Sequence, residues 1–77
     1  MRQIQSTAMA RHRMRRLGLN EYDVADMVKA ANSMLTHSSG IIEVSGLIDG
    51  RRVTVFLDQV SDYLLVLNVV VTGRTER

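Results

Sequence analysis

Four arginines, Arg11, Arg13, Arg15 and Arg16, fall within six residues, with His12 among them and Met9 one helical turn ahead of Arg13. A guanidinium is permanently cationic and presents a planar fork of N–H donors that fits phosphate and carboxylate oxygens. Such a block can hold a polyanion or steady the charge of a phosphoryl transition state, and histidine is the side-chain type suited to proton transfer near neutral pH. The first carboxylate in the chain is Glu21. Residues 1–20 therefore carry five positive charges, Arg2 included, and no negative one, while residues 21–77 hold five basic and eight acidic groups, a sum of −3. A net charge of +2 thus conceals a polarised molecule whose N-terminal field attracts RNA, DNA or an acidic protein surface. Like charges at helical spacing repel, so selection for solubility alone would dilute such a block.

The other chemistry-bearing residues read as structural. His12 and His37 are expected at the surface, because the chain has no cysteine and no carboxylate cluster placed to share a metal with them. No metal and no cofactor is implied. Glu21, Asp23 and Asp26 suggest a carboxylate group, but the first two suit the positive end of a helix dipole. Ser38-Ser39-Gly40 lacks the lysine of a phosphate-cradling loop. The aromatics, Tyr22, Phe56 and Tyr63, all lie outside the arginine block, so base stacking of the single-strand-binding kind is not expected. Arg51 and Arg52 extend the cationic surface if their hairpin packs beside the first helix.

Elements must position these groups, and 77 residues make one domain, near the size at which a core only just outweighs chain entropy. Ser6 or Thr7 can cap a helix through Arg16, with Gly18 suited to the left-handed position that ends it. Ala10, Met14 and Leu17 form its apolar stripe, Arg11, His12, Arg15 and Arg16 fan over the opposite side, and Arg13 sits at the border. Asn20 opens a second helix, and Val24, Met27, Val28, Ala31, Met34 and Leu35 follow helical spacing as far as Thr36. Ile42, Val44 and Ile48 then read as a strand before Asp49-Gly50, a pair suited to a type I′ hairpin turn. Val53, Val55 and Leu57 alternate with Arg52, Thr54 and Phe56 in a second strand, and residues 58–62 read as the next turn.

The last strand, from Tyr63 to Thr72, is apolar on both faces apart from Asn68, as for a strand covered on two sides. A simple meander leaves it at an edge, so either residues 1–5, with Ile4, or another part of the chain pairs beside it, or a second copy covers it. A homodimer is expected, with Leu64, Val66, Asn68 and Val70 as its interface. No apolar run is long enough to span a membrane, and the arginine block passes directly into the next helix without the spacer of a cleavable presequence. A soluble, cytoplasmic protein is expected.

Residues 10–19, Ala-Arg-His-Arg-Met-Arg-Arg-Leu-Gly-Leu, then Asp23-Val24, Gly46-Leu47-Ile48-Asp49-Gly50-Arg51 and an apolar last strand resemble a family of small uncharacterised domains. Its pattern is His-Ala, two residues, Arg-Met, two residues, Arg-Gly-Ile, followed by a helix and a Gly-containing hairpin. That family stands near the RelE and ParE toxins, whose fold packs N-terminal helices on an antiparallel sheet. The resemblance implies growth inhibition and, more distantly, metal-independent ribonuclease activity. Arg13, Met14 and Gly18 match the pattern, whereas the family's histidine falls on Met9 and its second arginine on Leu17. A His/Arg pair one turn apart is thereby reduced to Arg13 alone.

The expected architecture is α+β, two N-terminal helices packed on a three-stranded antiparallel sheet, with room for a short extra strand at residues 2–5. The expected function is that of a toxin-like binding protein, leaning away from catalysis, which docks Arg11, Arg13, Arg15 and Arg16, flanked by Met9 and His12, on nucleic acid or a nucleic-acid-processing protein. Two alternatives stand beside it. One is a ribonuclease in which Arg13 and Arg16 hold the phosphate and His12 or Tyr22 moves the proton; the other is a homo-oligomeric interaction module built on the C-terminal strand.

Overall fold

Two short helices lie on one face of a five-stranded mixed sheet in a computed structural model that describes residues 3–31 and 34–74. In chain order the elements are β1 (Gln3–Ser6), α1 (Ala8–Leu17), α2 (Glu21–Ala30), β2 (Leu35–Thr36), β3 (Ile42–Ile48), β4 (Arg51–Val60) and β5 (Tyr63–Arg74). The strand order is β1-β5-β4-β3-β2, with β1 parallel to β5 and the other neighbours antiparallel. This corrects the three-stranded antiparallel expectation. The two additional strands are four and two residues long, too short to carry a period-2 signal of their own.

The first helix forms where its end signals lie. Thr7 is the N-cap, its hydroxyl accepting from the Ala10 amide at 3.0 Å, and Gly18 follows the last turn at φ 72°. The Gly18 amide donates to Arg15 O and the Leu19 amide to Met14 O, the paired closure of a Schellman motif, with Leu19 and Met14 both in the core. Asn20 caps α2 through the Tyr22 amide at 2.7 Å. That helix stops at Ala30, short of the expected end, and Met34 and Leu35 are 50% and 56% exposed. Leu35 pairs instead with Glu43 across β2 and β3, so helical spacing beyond Ala31 was coincidental.

Asp49 and Gly50, at φ 52° and 76°, link Ile48 to Arg51 in a two-residue hairpin, as the type I′ signal predicts. The next turn is shorter than expected: β4 continues through Val60, leaving Ser61-Asp62 as the link to β5. Both helices cover the same face. Ala10, Met14, Val24 and Val28 share one buried cluster with Val44, Val53, Val55, Leu57, Leu64, Val66 and Val69.

The last strand is not a bare edge, since β1 pairs with Tyr63 to Val66. Its doubly apolar character has a second cause in a bulge. Phe56 pairs with Asn68 but Leu57 pairs with Val66, which leaves Leu67 as an extra residue. Inward positions are therefore even-numbered before the bulge, Leu64 and Val66, and odd-numbered after it, Val69 and Val71. Strict alternation had assigned Leu64 and Val66 to an interface with Asn68 and Val70. Leu64 is 6% exposed and Val66 0%, and both belong to the helix-covered core.

Gly46 fixes how closely α2 approaches β3. A Cβ there would lie 2.7 Å from Met27 Cγ and 2.9 Å from its sulfur, too close for a well-packed layer to absorb. Gly46→Ala is expected to destabilise the fold by about 1–3 kcal/mol. Combined with Met27→Ala it should cost at least ~1 kcal/mol less than the two single changes added together. Urea unfolding of the four chains measures this coupling, and strict additivity would refute the contact.

Candidate functional site

The outer side of α1 is set by its inner side. With Ala10 and Met14 buried and Leu17 partly so, residues 11 and 15 form one row along the helix and residues 12 and 16 the next. Arg11, His12, Arg13, Arg15 and Arg16 are all exposed, and so is Met9, at 73%. The expected cationic face is thus assembled on one element, although Arg2 lies outside the described residues. Among the described residues the ion pair within 4.0 Å is His37 with Glu43, at 2.9 Å. None of the α1 arginines is neutralised by a carboxylate there.

Their roles nevertheless differ. Arg13 Nε donates to Val69 O at 3.0 Å, and the Val69 amide donates to Asn68 Oδ1 at 2.9 Å. Two side chains thereby occupy both polar groups of one residue on β5, at a point beyond its pairing with β1. Arg13 is an edge-blocking cation of the kind that discourages strand addition, although no such residue occurs in the strand's sequence from Tyr63 through Thr72. Arg11 Nη1 donates to Ser6 O at 2.7 Å, linking α1 back to β1. Arg15 and Arg16 occupy the last turn, where cations favour the negative end of the helix dipole, and neither side chain has a hydrogen bond or ion pair among the described residues.

Arg51 is not an outlying part of the cationic face. Its guanidinium donates to Leu17 O and Gly18 O, taking up carbonyls that the end of α1 leaves open. Arg52, one residue on, is on the helix-free face of the sheet, because the neighbouring Val53 is inward. The hairpin does pack against α1, yet only one of its two arginines reaches the helix.

An open recess of about 280 Å³ lies between α1 and the start of α2, lined by Arg11, Met14, Arg15, Leu19, Asn20, Glu21 and Tyr22. Tyr22, 79% exposed, is thereby brought beside Arg11 and Arg15. Of the residues offered for a ribonuclease, Tyr22 lines this recess while His12, Arg13 and Arg16 do not, and Arg13 Nε is engaged at the sheet edge. The place of Tyr22 beside Arg11 and Arg15 follows from the closeness of the two helices, which the short Gly18–Asn20 link implies.

A second recess, of about 290 Å³, is lined by Asp23, Asp26, Asp49, Met27, Leu47 and Ile48. No group of three potential metal ligands is found among the described residues. Nor is any described helix long and apolar enough to cross a membrane.

No family model matches the chain, and no curated protein and no solved structure matches it either.

The hydrogen bonds separate the arginines into a structural and a free set. Arg13→Ala is expected to cost about 1 kcal/mol, the usual size for a hydrogen bond at this exposure, which lowers the melting temperature by roughly 4–8 °C in a domain of this length. Arg15→Ala and Arg16→Ala should each shift it by less than about half as much. Thermal unfolding followed by circular dichroism checks the ranking, and an equal effect of all three would contradict it.

Proposed function

We propose that the protein binds nucleic acid through the outward face of α1, holding the phosphate backbone with Arg15 and Arg16 and with Arg11 and His12 beside them. The observation that carries this reading is the exposure of Arg15 and Arg16 with no carboxylate partner among the described residues. A paired cation has already spent its attraction, whereas an unpaired one retains its full field for a ligand. Arg11 keeps the rest of its donor fork outside the bond to Ser6, on the side of the recess that also presents Tyr22.

Binding of this kind positions a backbone without reading bases. From Arg11 to Arg16 the charges of α1 span about 8 Å of helix axis, and their long side chains fan outward to reach a few phosphates. Arg13 contributes charge at the flank but is held by Val69 O, so it supports the site more than it contacts ligand. Glu21 contributes a carboxylate at the far wall of the recess, which turns the attractive surface toward the Arg11 and Arg15 side. The alternative partner, an acidic protein, would use the same arginines and is distinguished by nuclease treatment.

Fluorescence anisotropy with RNA and DNA oligonucleotides, single-stranded and duplex, tests the proposal. With about three phosphates neutralised, affinity should fall roughly 40-fold between 50 and 200 mM salt. Arg15→Glu combined with Arg16→Glu should abolish binding while circular dichroism shows the fold retained. Binding unchanged by that pair, or a complex from lysate that survives nuclease, would remove nucleic acid as the ligand.

A further inference from the structure

The helix-free face of the sheet carries Phe56 with Val70 and Leu65 on the neighbouring strand, and an opposite charge at each end of β4, and we infer that it packs against the same face of a second copy about a two-fold axis. Arg52, Thr54, Phe56 and Asp58 lie along this face of β4, since Val53, Val55 and Leu57 between them are fully buried on the other. Val70 flanks Thr54, Asn68 flanks Phe56 and Leu65 flanks Asp58 on β5, while on β3 Leu47 flanks Arg52, Ser45 flanks Thr54 and Glu43, ion-paired with His37 at 2.9 Å, flanks Phe56. No described element covers this face, because α1 and α2 pack on its opposite side with the buried cluster.

Three observations point to a second copy as the occupant. First, the centre of the face is prepared for burial. Thr54 is only 6% exposed, and its hydroxyl is within 2.9 Å of the Ser45 hydroxyl, so an apolar cover would leave neither group unpaired.

Second, the charges complement themselves under a two-fold rotation. Neither the Arg52 nor the Asp58 side chain has a hydrogen bond or ion pair among the described residues, and six residues of strand separate them by about 20 Å. An axis lying in the interface, perpendicular to the strands and crossing β4 between Thr54 and Phe56, reverses the strand against itself. Each Arg52 then faces Asp58 of the other copy, with the two Phe56 rings adjacent across the axis. This isologous arrangement closes at two copies and agrees with aligned sheet-on-sheet packing.

Third, the area suffices. Strand lengths and spacing give the face roughly 550 Å² in projection, and a surface bearing side chains exceeds its projection, approaching the ~800 Å² per partner of a standard interface. The inference is independent of the nucleic-acid reading, because α1 stays on the outer side of each copy.

Sedimentation velocity of the full chain at 1–100 µM, about the range in which such an interface associates, tests it. A dimer is expected. Phe56→Glu should give a monomer with an unchanged far-ultraviolet spectrum. Arg52→Asp alone and Asp58→Arg alone should each weaken association roughly tenfold, through two equivalent rim pairs, and the double exchange should restore it. A wild-type monomer throughout the range, a dimer indifferent to Phe56→Glu, or singles that the double exchange fails to rescue would each overturn the inference.

Discussion

The seat of α1 against the β1–β5 corner is the constraint from which the rest follows. Ala10, at 0% exposure, lets the helix backbone approach β5, and a larger side chain there would lift it from the sheet. One residue, Thr7, separates β1 from α1, and it both caps the helix and donates its amide to Val66 O. Strand and helix are thus fixed to β5 as a unit. The far end is closed by the Gly18–Leu19 hydrogen bonds and by Arg51 from β4. With both ends held and one stripe buried, the directions of all the remaining side chains on α1 are determined. The cationic surface is a consequence of where Ala10 and Met14 go.

That seat also explains why a dense block of like charges is tolerated. Arg11 and Arg13 offset part of their mutual repulsion by donating to carbonyls of β1 and β5, and Arg15 and Arg16 lie at the helix end whose dipole favours cations. Arg13 at the β5 edge also makes solubility partly a property of the helix. The strand itself carries no blocking charge through Thr72, and the helix supplies one at Val69.

What the sequence disclosed was local. Thr7, Gly18 and Asn20 mark helix ends through chemistry within three or four residues, and Asp49-Gly50 marks a turn through its own backbone freedom, so each could be read without knowing the fold. The arginine face was legible for the same reason, since a single helix carries it. Non-local features were legible only as alternatives or not at all. The pairing of β1 with β5 joins residues some sixty positions apart; the doubly apolar last strand points to a neighbour, and residues 1–5 with Ile4 are one candidate for it, but nothing local chooses them over a second copy. The bulge at Leu67 arises from the match of β4 to β5 and leaves no residue-type signature, which is why Leu64 and Val66 were assigned to the wrong face. Arg13 and Arg51 look like surface charge in sequence, and only their distant carbonyl partners show them to be fasteners.

The same bulge governs how the sheet divides its two faces. By shifting parity in mid-strand it turns Leu64, Val66, Val69 and Val71 toward the helices, while Leu65 and Val70 remain on the other side with Phe56. A regular strand of the same sequence would have placed Asn68 in line with Leu64 and Val66, inside the core, where its amide would need partners among valines. With the extra residue, Asn68 reaches the amide of Val69, and the polar group falls where a hydrogen bond awaits it. The doubly apolar strand is therefore one continuous hydrophobic segment divided between two layers. Its inward half holds α1 in place, and its outward half leaves apolar side chains on the side away from the α1 arginines. A sheet is about 10 Å from the layer that covers it, so charge presented by α1 and contacts made on the helix-free face do not compete for the same residues.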